Sequence, residues 1–249
     1  MMLDFHIAAS DIAHKAGWAK YFDGWVCSPA YAWWSRAIFR IERDWPVIVD
    51  NGAWSDQNKD SQPTAHEILE RTLKTIDLVN NPIKFAVLPD VVGDWFESVR
   101  MMNSILDDRS ISFDQRQASP FQQRCTFPWA VVISEGWDDS ILQGLLNKLE
   151  ARTGHKPWVF VGGQTFQFKK SSAEILKHFF PEYPVHVGKV HKLREVVHFY
   201  DCVNVQSIDT STFSRPPTNT YRKTLTQRLE HFQAWKDGDQ TVLTDWMDV

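Results

Sequence analysis

Short apolar runs and longer amphipathic stretches take turns along this chain, and their periods separate strands from helices. Phe5, Ile7 and Ala9 alternate with His6 and Ala8, which predicts a strand over 4–10. A short helix over 12–22, a brief strand over 25–28 and an aromatic helix over 31–43 follow. Pro-Val-Ile-Val-Asp at 46–50 predicts a buried strand that runs into the turn pair Asn51-Gly52. Thr64 and Glu67 have capping-box spacing, with Ile68, Leu69, Leu73, Ile76 and Val79 in helical register behind them. The next strand, 85–90, carries its proline at the end, where a lost backbone donor is tolerated. Asp94 and Glu97 then open a helix whose apolar face is Val99, Met102, Ile105 and Leu106. Residues 107–125 are polar and aperiodic, a long loop of the kind that is usually functional or mobile.

The second half repeats the alternation. A strand over 127–133 leads through Ser134-Glu135-Gly136 into a helix bearing Ile141, Leu142, Leu145, Leu146 and Leu149. The strand 158–161 ends in Gly162-Gly163-Gln164, and Ser171 with Glu174 reads as a second capping box ahead of Ile175, Leu176 and Phe179. A strand over 184–188 precedes a helix over 190–200. Val203 and Val205 alternate with polar neighbours in an eighth strand, 202–209, which ends at Asp209. A polar loop with Pro216-Pro217 and a helix from about 221 to 235 close the pattern. Eight strands alternating with helices, with no repeat or flexible linker, predict an α/β fold: one (β/α)8 TIM-like barrel over 1–249.

Composition narrows the setting. No run of 18 apolar residues occurs, so no membrane span is expected, and the first residues lack the basic and apolar segments of a signal peptide. Cys27, Cys125 and Cys202 are far apart and form no CxxC pair, which points to reduced thiols in a cytoplasm and against a zinc ribbon. The net charge of -4 excludes a generally basic nucleic-acid coat. It is unevenly spread: residues 153–228 hold 11 Lys+Arg against 5 Asp+Glu. That excess is either a phosphate-holding face or a set of solvated helix faces.

Barrels of this kind place their active sites at the C-terminal rim. Here the rim reads His6, Ser28, Asp50, Asp90, Glu135, Gly162-Gly163, Gly188 and Asp209. Each aspartate alone is explained as a turn or cap residue. Three of them gathered at one mouth are costly unless they meet water, a proton or a substrate. Two chemistries suit close carboxylates: attack on a sugar carbon with a second group managing a proton, or oxygen ligation of a divalent metal. The rim offers no His-x-His pair, which makes the metal less attractive, and Gly162-Gly163 lacks the Lys-Ser/Thr of a triphosphate loop.

Five segments, Val49-Asp50-Asn51-Gly52-Ala53-Trp54, Leu88-Pro89-Asp90-Val91-Val92-Gly93-Asp94, Val161-Gly162-Gly163, His186-Val187-Gly188-Lys189-Val190 and Ser207-Ile208-Asp209, carry a resemblance in their order. Together they resemble the tRNA-guanine transglycosylase superfamily, and most of all its DNA-acting branch, the DpdA-type 7-deazaguanine DNA transglycosylases. The resemblance implies Asp209 as the nucleophile at the sugar C1′, Asp50 as the acid/base residue and Asp90 as the reader of the guanine edge. It further implies Gly162, Gly163 and Gly188 around the base, with Glu135 where the tRNA enzymes carry a Gln-Gly pair. The three-cysteine, one-histidine zinc site of the tRNA enzymes has no counterpart here, and the Thr-Ser-Thr-Phe-Ser-Arg sequence after Asp209 also differs. Both departures favour DNA over tRNA and a barrel without a zinc-binding subdomain, similar to virus-encoded members, working in the host cytoplasm. The implied partners are DNA and a 7-deazaguanine base, 7-cyano-7-deazaguanine or a derivative, with no cofactor and no metal.

The target base must leave its stack to reach a barrel mouth, so aromatic and basic residues near the rim gain interest. Trp54 and Phe166 lie just past rim residues and are candidates to stack on a base. Lys189, Lys192, Arg194 and Arg215, with Lys169, Lys170, Arg222 and Lys223, are candidate phosphate contacts. Hydrolysis of the same intermediate, exchange in tRNA, and a non-catalytic nucleic-acid-binding subunit are the alternatives. Retention of all three aspartates speaks against the last.

Overall fold

A computed structural model describes residues 3–8, 18–30, 44–57, 61–79, 81–113, 127–190, 193–200, 202, 204–210, 230, 233–234 and 237. Eight parallel strands close a barrel in sequence order. They are β1 (Asp4–Ala8), β2 (Gly24–Cys27), β3 (Val47–Val49), β4 (Ile83–Val87), β5 (Trp129–Ile133), β6 (Trp158–Val161), β7 (Val185–Val187) and β8 (Val205–Thr210). The helices are α1 (Ala53–Asp56), α2 (Ala65–Leu78), α3 (Trp95–Asp107), α4 (Asp139–Thr153), α5 (Phe166–Phe179) and α6 (Leu193–Tyr200). The expected barrel is therefore present. Where a helix over 12–22 was expected, the described part is a 3-10 turn, Trp18–Tyr21. The expected helices over 31–43 and 221–235 fall outside the described residues, apart from isolated positions of the latter.

Strands of a parallel barrel are covered on both faces, which is why β3 and β5 are buried throughout rather than alternating. One face meets the helices: Val47, Val49, Val131, Ile133, Val159 and Val161 pack with Ile76, Ile105, Leu146 and Leu176. The other fills the barrel with Ile48, Phe85, Val87, Ala130, Val132 and Trp158. Helix starts follow their caps. Thr64 forms the predicted capping box, and Asp94, Asp138 and Thr165 accept from Glu97, Ile141 and Phe168 amides. The expected cap at Ser171 is corrected by this last bond: α5 begins at Phe166, so Ser171 and Glu174 lie inside it.

Two register slips shape the interior. Val47 pairs with Ile83 and Ile48 with Phe85, leaving Lys84 as the extra residue of a bulge. Its ammonium turns inward onto Asp4 and lies 3.5 Å from His6 Nε2. Val185 pairs with Val205 and His186 with Ser207, so Gln206 is the extra residue in β8. Val205 thus packs with the helices, while the side chains of Ser207 and Asp209 reach His186. One sector of the barrel is polar as a result, built from β7, β8 and β1.

Candidate active site

Asp209 sits within β8, opposite His6 of β1, rather than after the strand's end. His186 of β7 places Nε2 2.9 Å from its Oδ2, and the Lys189 amide donates to Oδ1 at 3.1 Å. His186 Nδ1 lies 2.8 Å from Ser207 Oγ. The ring is fully buried beside Phe85 and Phe160, and that burial holds its pKa below the ordinary value. A neutral ring donates from Nε2 to the carboxylate and accepts the Ser207 hydroxyl proton at Nδ1. Burial pushes the Asp209 carboxyl up, but the His186 hydrogen bond, the Lys189 amide and the Lys169 charge outweigh it and leave its pKa lowered. Asp209 is the carboxylate of this mouth that stays ionised.

Asp50 follows β3 directly, its amide donating to the Cys27 carbonyl at 2.9 Å. Burial, and next the charge of Asp209, raise its pKa to about 6; the amides of Asn51 and Gly52 oppose the rise. Asp90 is 8% exposed, and burial lifts it to about 7. The Asn51 hydrogen bond works against that rise and the Asp50 charge adds to it. Asn51 bridges the two strand ends. Its Nδ2 donates to the Leu88 carbonyl and to Asp90 Oδ1, each at 2.6 Å, and its Oδ1 accepts from the Ala53 amide at 2.9 Å. Gly52, at φ 81, makes the turn that brings this about.

Over the mouth stands Lys189, a non-glycine residue at φ 56, in the sparsely populated left-handed region. Its Nζ lies 2.8 Å from the centre of the Trp54 ring, which is 50% exposed on α1. Arg71 of α2 holds α1 in place through Asp56, at 3.1 and 2.5 Å. Burial lowers the Lys189 amine to about 8, although Asp50 and Asp209 attract its charge. Its carbonyl accepts from Lys169 Nζ at 3.0 Å.

Other expected site residues divide. Gly188 keeps the space beside Asp209 open: a Cβ there would lie 2.7 Å from Phe160 Cζ and 3.4 Å from Asp209 Oδ2. Gly162 meets Val132 inside the barrel. Gly163 faces outward, where a Cβ would fall 1.9 Å from the Phe168 ring, so its lack of a side chain serves helix packing. Glu135 accepts the Gln164 amide at 2.8 Å through Oε1, and its buried Oε2 has no hydrogen bond among the described residues. Phe166 departs from its expected base-stacking role: its ring stands edge-on to His198 and Phe199, joining α5 to α6. Lys169 is buried, which removes it from the phosphate contacts. Lys192 and Arg215 lie outside the described residues, as does the side chain of Arg194.

Sequence reasoning missed Asn51 as a member of the mouth, named Lys189 there only as a candidate phosphate contact, and left His186 without a role. His186 carried a signal, a polar residue between Val185 and Val187 in a buried strand. A cavity of about 390 Å³ opens beside Asp90, lined also by Ala53, Asp56 and Ile68; it reaches neither Asp50 nor Asp209. No described helix is long and apolar enough to cross a membrane.

No protein-family model matches the chain, and no curated protein matches it. Among solved structures it is similar to a dihydrodipicolinate synthase family protein from Coccidioides immitis, at 9% identity, over 98% of this chain and 76% of that one, with a TM-score of 0.54. It is also similar to an aldolase, QR15, at 9% identity over 91% and 95% of the two chains, with a TM-score of 0.49. At such identities the likeness is one of fold, and the first of the two supports the barrel.

Proposed function

We propose that the protein is a DNA-guanine transglycosylase, which replaces guanine in DNA by a 7-deazaguanine through a covalent aspartyl-sugar intermediate. The observation that carries this reading is the division among three carboxylates at one mouth. Asp209 is kept ionised by His186 and the Lys189 amide, while Asp50 and Asp90 are raised to about 6 and about 7. An acid/base residue works best with a pKa near the working pH, and a carboxylate nucleophile must be ionised.

In this reading an Asp209 oxygen attacks C1′, the bond from C1′ to the base nitrogen breaks, and the departing guanine takes a proton from Asp50. The incoming base then yields its proton to Asp50 and attacks C1′ through its nitrogen, and Asp209 leaves as the carboxylate. Atoms and charge balance without an oxidant or a metal. Asp90, held by Asn51, faces the N–H edge of guanine as an acceptor. Trp54, half exposed, stacks on the extruded base once the Lys189 ammonium swings off its ring to meet a phosphate or a base oxygen.

The test is incubation with guanine-containing DNA and labelled 7-cyano-7-deazaguanine, digestion to nucleosides and mass analysis, with tRNA in a parallel arm. Label in the DNA nucleosides is the expected result. Release of guanine without label would mean hydrolysis, label in tRNA alone would move the substrate to RNA, and no reaction in any arm would leave a binding protein.

A further inference from the structure

Away from the mouth, three side chains of different chemistry converge. Glu174 lies on α5, His198 on α6, and Cys202 in the link between α6 and β8. One ligand atom from each lies within 4.8 Å of the other two. The thiol is buried, the imidazole half-buried and the carboxylate exposed. Cys202 Sγ is 3.8 Å from Glu174 Oε1 and 3.6 Å from the His198 carbonyl oxygen.

We infer that these residues form a zinc site that fastens α5 and α6 to the start of β8. Tetrahedral zinc, with bonds of about 2.3 Å to sulfur and about 2.0 Å to oxygen, sets its sulfur and oxygen ligands roughly 3.5 Å apart. The observed 3.8 Å is within a few tenths of an ångström of that spacing. A thiolate, an imidazole and a carboxylate together suit zinc; magnesium and calcium prefer oxygen alone. His198 and Cys202 are four residues apart across the end of α6, where the Cys202 amide still donates to the Phe199 carbonyl at 3.1 Å. That bond keeps both donors on one side of the chain. Phe166, edge-on to the His198 ring at 5.8 Å, restricts how the imidazole turns. Among the described residues the group offers three protein ligands, with its Glu174 side facing solvent. All three ligands precede β8, so the site is separate from the three-cysteine site that the sequence lacks.

Binding converts the Cys202 thiol to thiolate and releases its proton to solvent, so affinity rises with pH. The consequence is structural. Zinc holds the entry to the strand that carries Asp209, and it takes no part in the chemistry at the mouth.

The site is tested on the whole chain, stripped with a chelator and titrated with Co²⁺ in place of zinc. The expected result is a near-ultraviolet thiolate-to-cobalt absorption that saturates at one equivalent and vanishes when Zn²⁺ is added. Cys202→Ser should abolish it, while Cys27→Ser and Cys125→Ser keep it. Glu174 is exposed, so Glu174→Ala leaves the fold undisturbed; it should weaken binding by more than the roughly 100-fold that losing an outer partner of a metal ligand costs. No thiolate absorption in the wild-type chain, absorption that survives Cys202→Ser, or unchanged affinity in Glu174→Ala would each overturn the assignment. None of these readouts depends on transglycosylation.

Discussion

Replacing Asp90 by asparagine should make the protein more stable and less able to recognise its base. A buried carboxyl whose pKa stands at about 7 rather than 3.8 keeps its proton in the folded state long after the unfolded chain has lost it. The sign follows from linkage: between pH 4 and pH 7 the unfolded state gains from ionising Asp90 and the folded state does not. The folded state is therefore penalised increasingly as pH rises, and the penalty levels off above about 7. At about 1.4 kcal/mol for each pH unit between the two values, it reaches on the order of 4 kcal/mol at neutral pH. Asparagine removes it and keeps an oxygen for the Asn51 donor, but its own amide group needs a partner, at a cost of about 2 kcal/mol. The net gain is about 2 kcal/mol, which in a chain of this size raises Tm by roughly 4–8 °C. Thermal unfolding of both proteins from pH 4.5 to pH 8 checks this, and the difference in Tm should widen with pH and then flatten. A difference that is constant across that range, or a variant less stable at pH 7.5, would refute the account of Asp90.

Four further outcomes are expected. Asp209→Asn should form no covalent sugar adduct on denaturing gels with DNA present, whereas Asp50→Asn should form it slowly; the opposite pattern would reverse the two roles. His186→Phe removes the donor to Asp209 Oδ2, a charged hydrogen bond worth about 1.5–3 kcal/mol, and leaves the ionised carboxylate less favoured by that amount. Because Asp209 then ionises at higher pH, the acidic limb of the rate profile for adduct formation should move up, and an unmoved limb would count against His186 as the group that keeps Asp209 ionised. Gly163→Ala should lower Tm through the clash with Phe168 and cost much less when made in a Phe168→Ala background; an equal cost in both backgrounds would remove the packing explanation. Neutralising Lys192, Arg194 and Arg215 together should reduce the salt slope of DNA binding by up to roughly 3, and an unchanged slope would return those charges to solvated helix faces.

Periodicity alone determined much of this protein. Both faces of each strand must be buried in a parallel barrel, so β3, β5 and β6 had to be continuous apolar runs, and such runs are visible in a one-dimensional pattern. The strand ends were legible too, which is how Asp50, Asp90 and Asp209 could be named together. Facing was not. Simple alternation puts Val205 and Asp209 on one side of β8, and the bulge at Gln206 sends Val205 to the helices and Asp209 to His186. A bulge depends on how a neighbouring strand pairs, so nothing local announces it. Capping was ambiguous for the same reason, since Thr165 and Ser171 are both competent caps and the distance from the end of β6 to the start of α5 chose the first. The pKa values belong wholly to the tertiary structure. Asp50, Asp90 and Asp209 are the same residue type, and their separation follows from burial and from which donors, Asn51, His186 or the Lys189 amide, the folded chain brings to each.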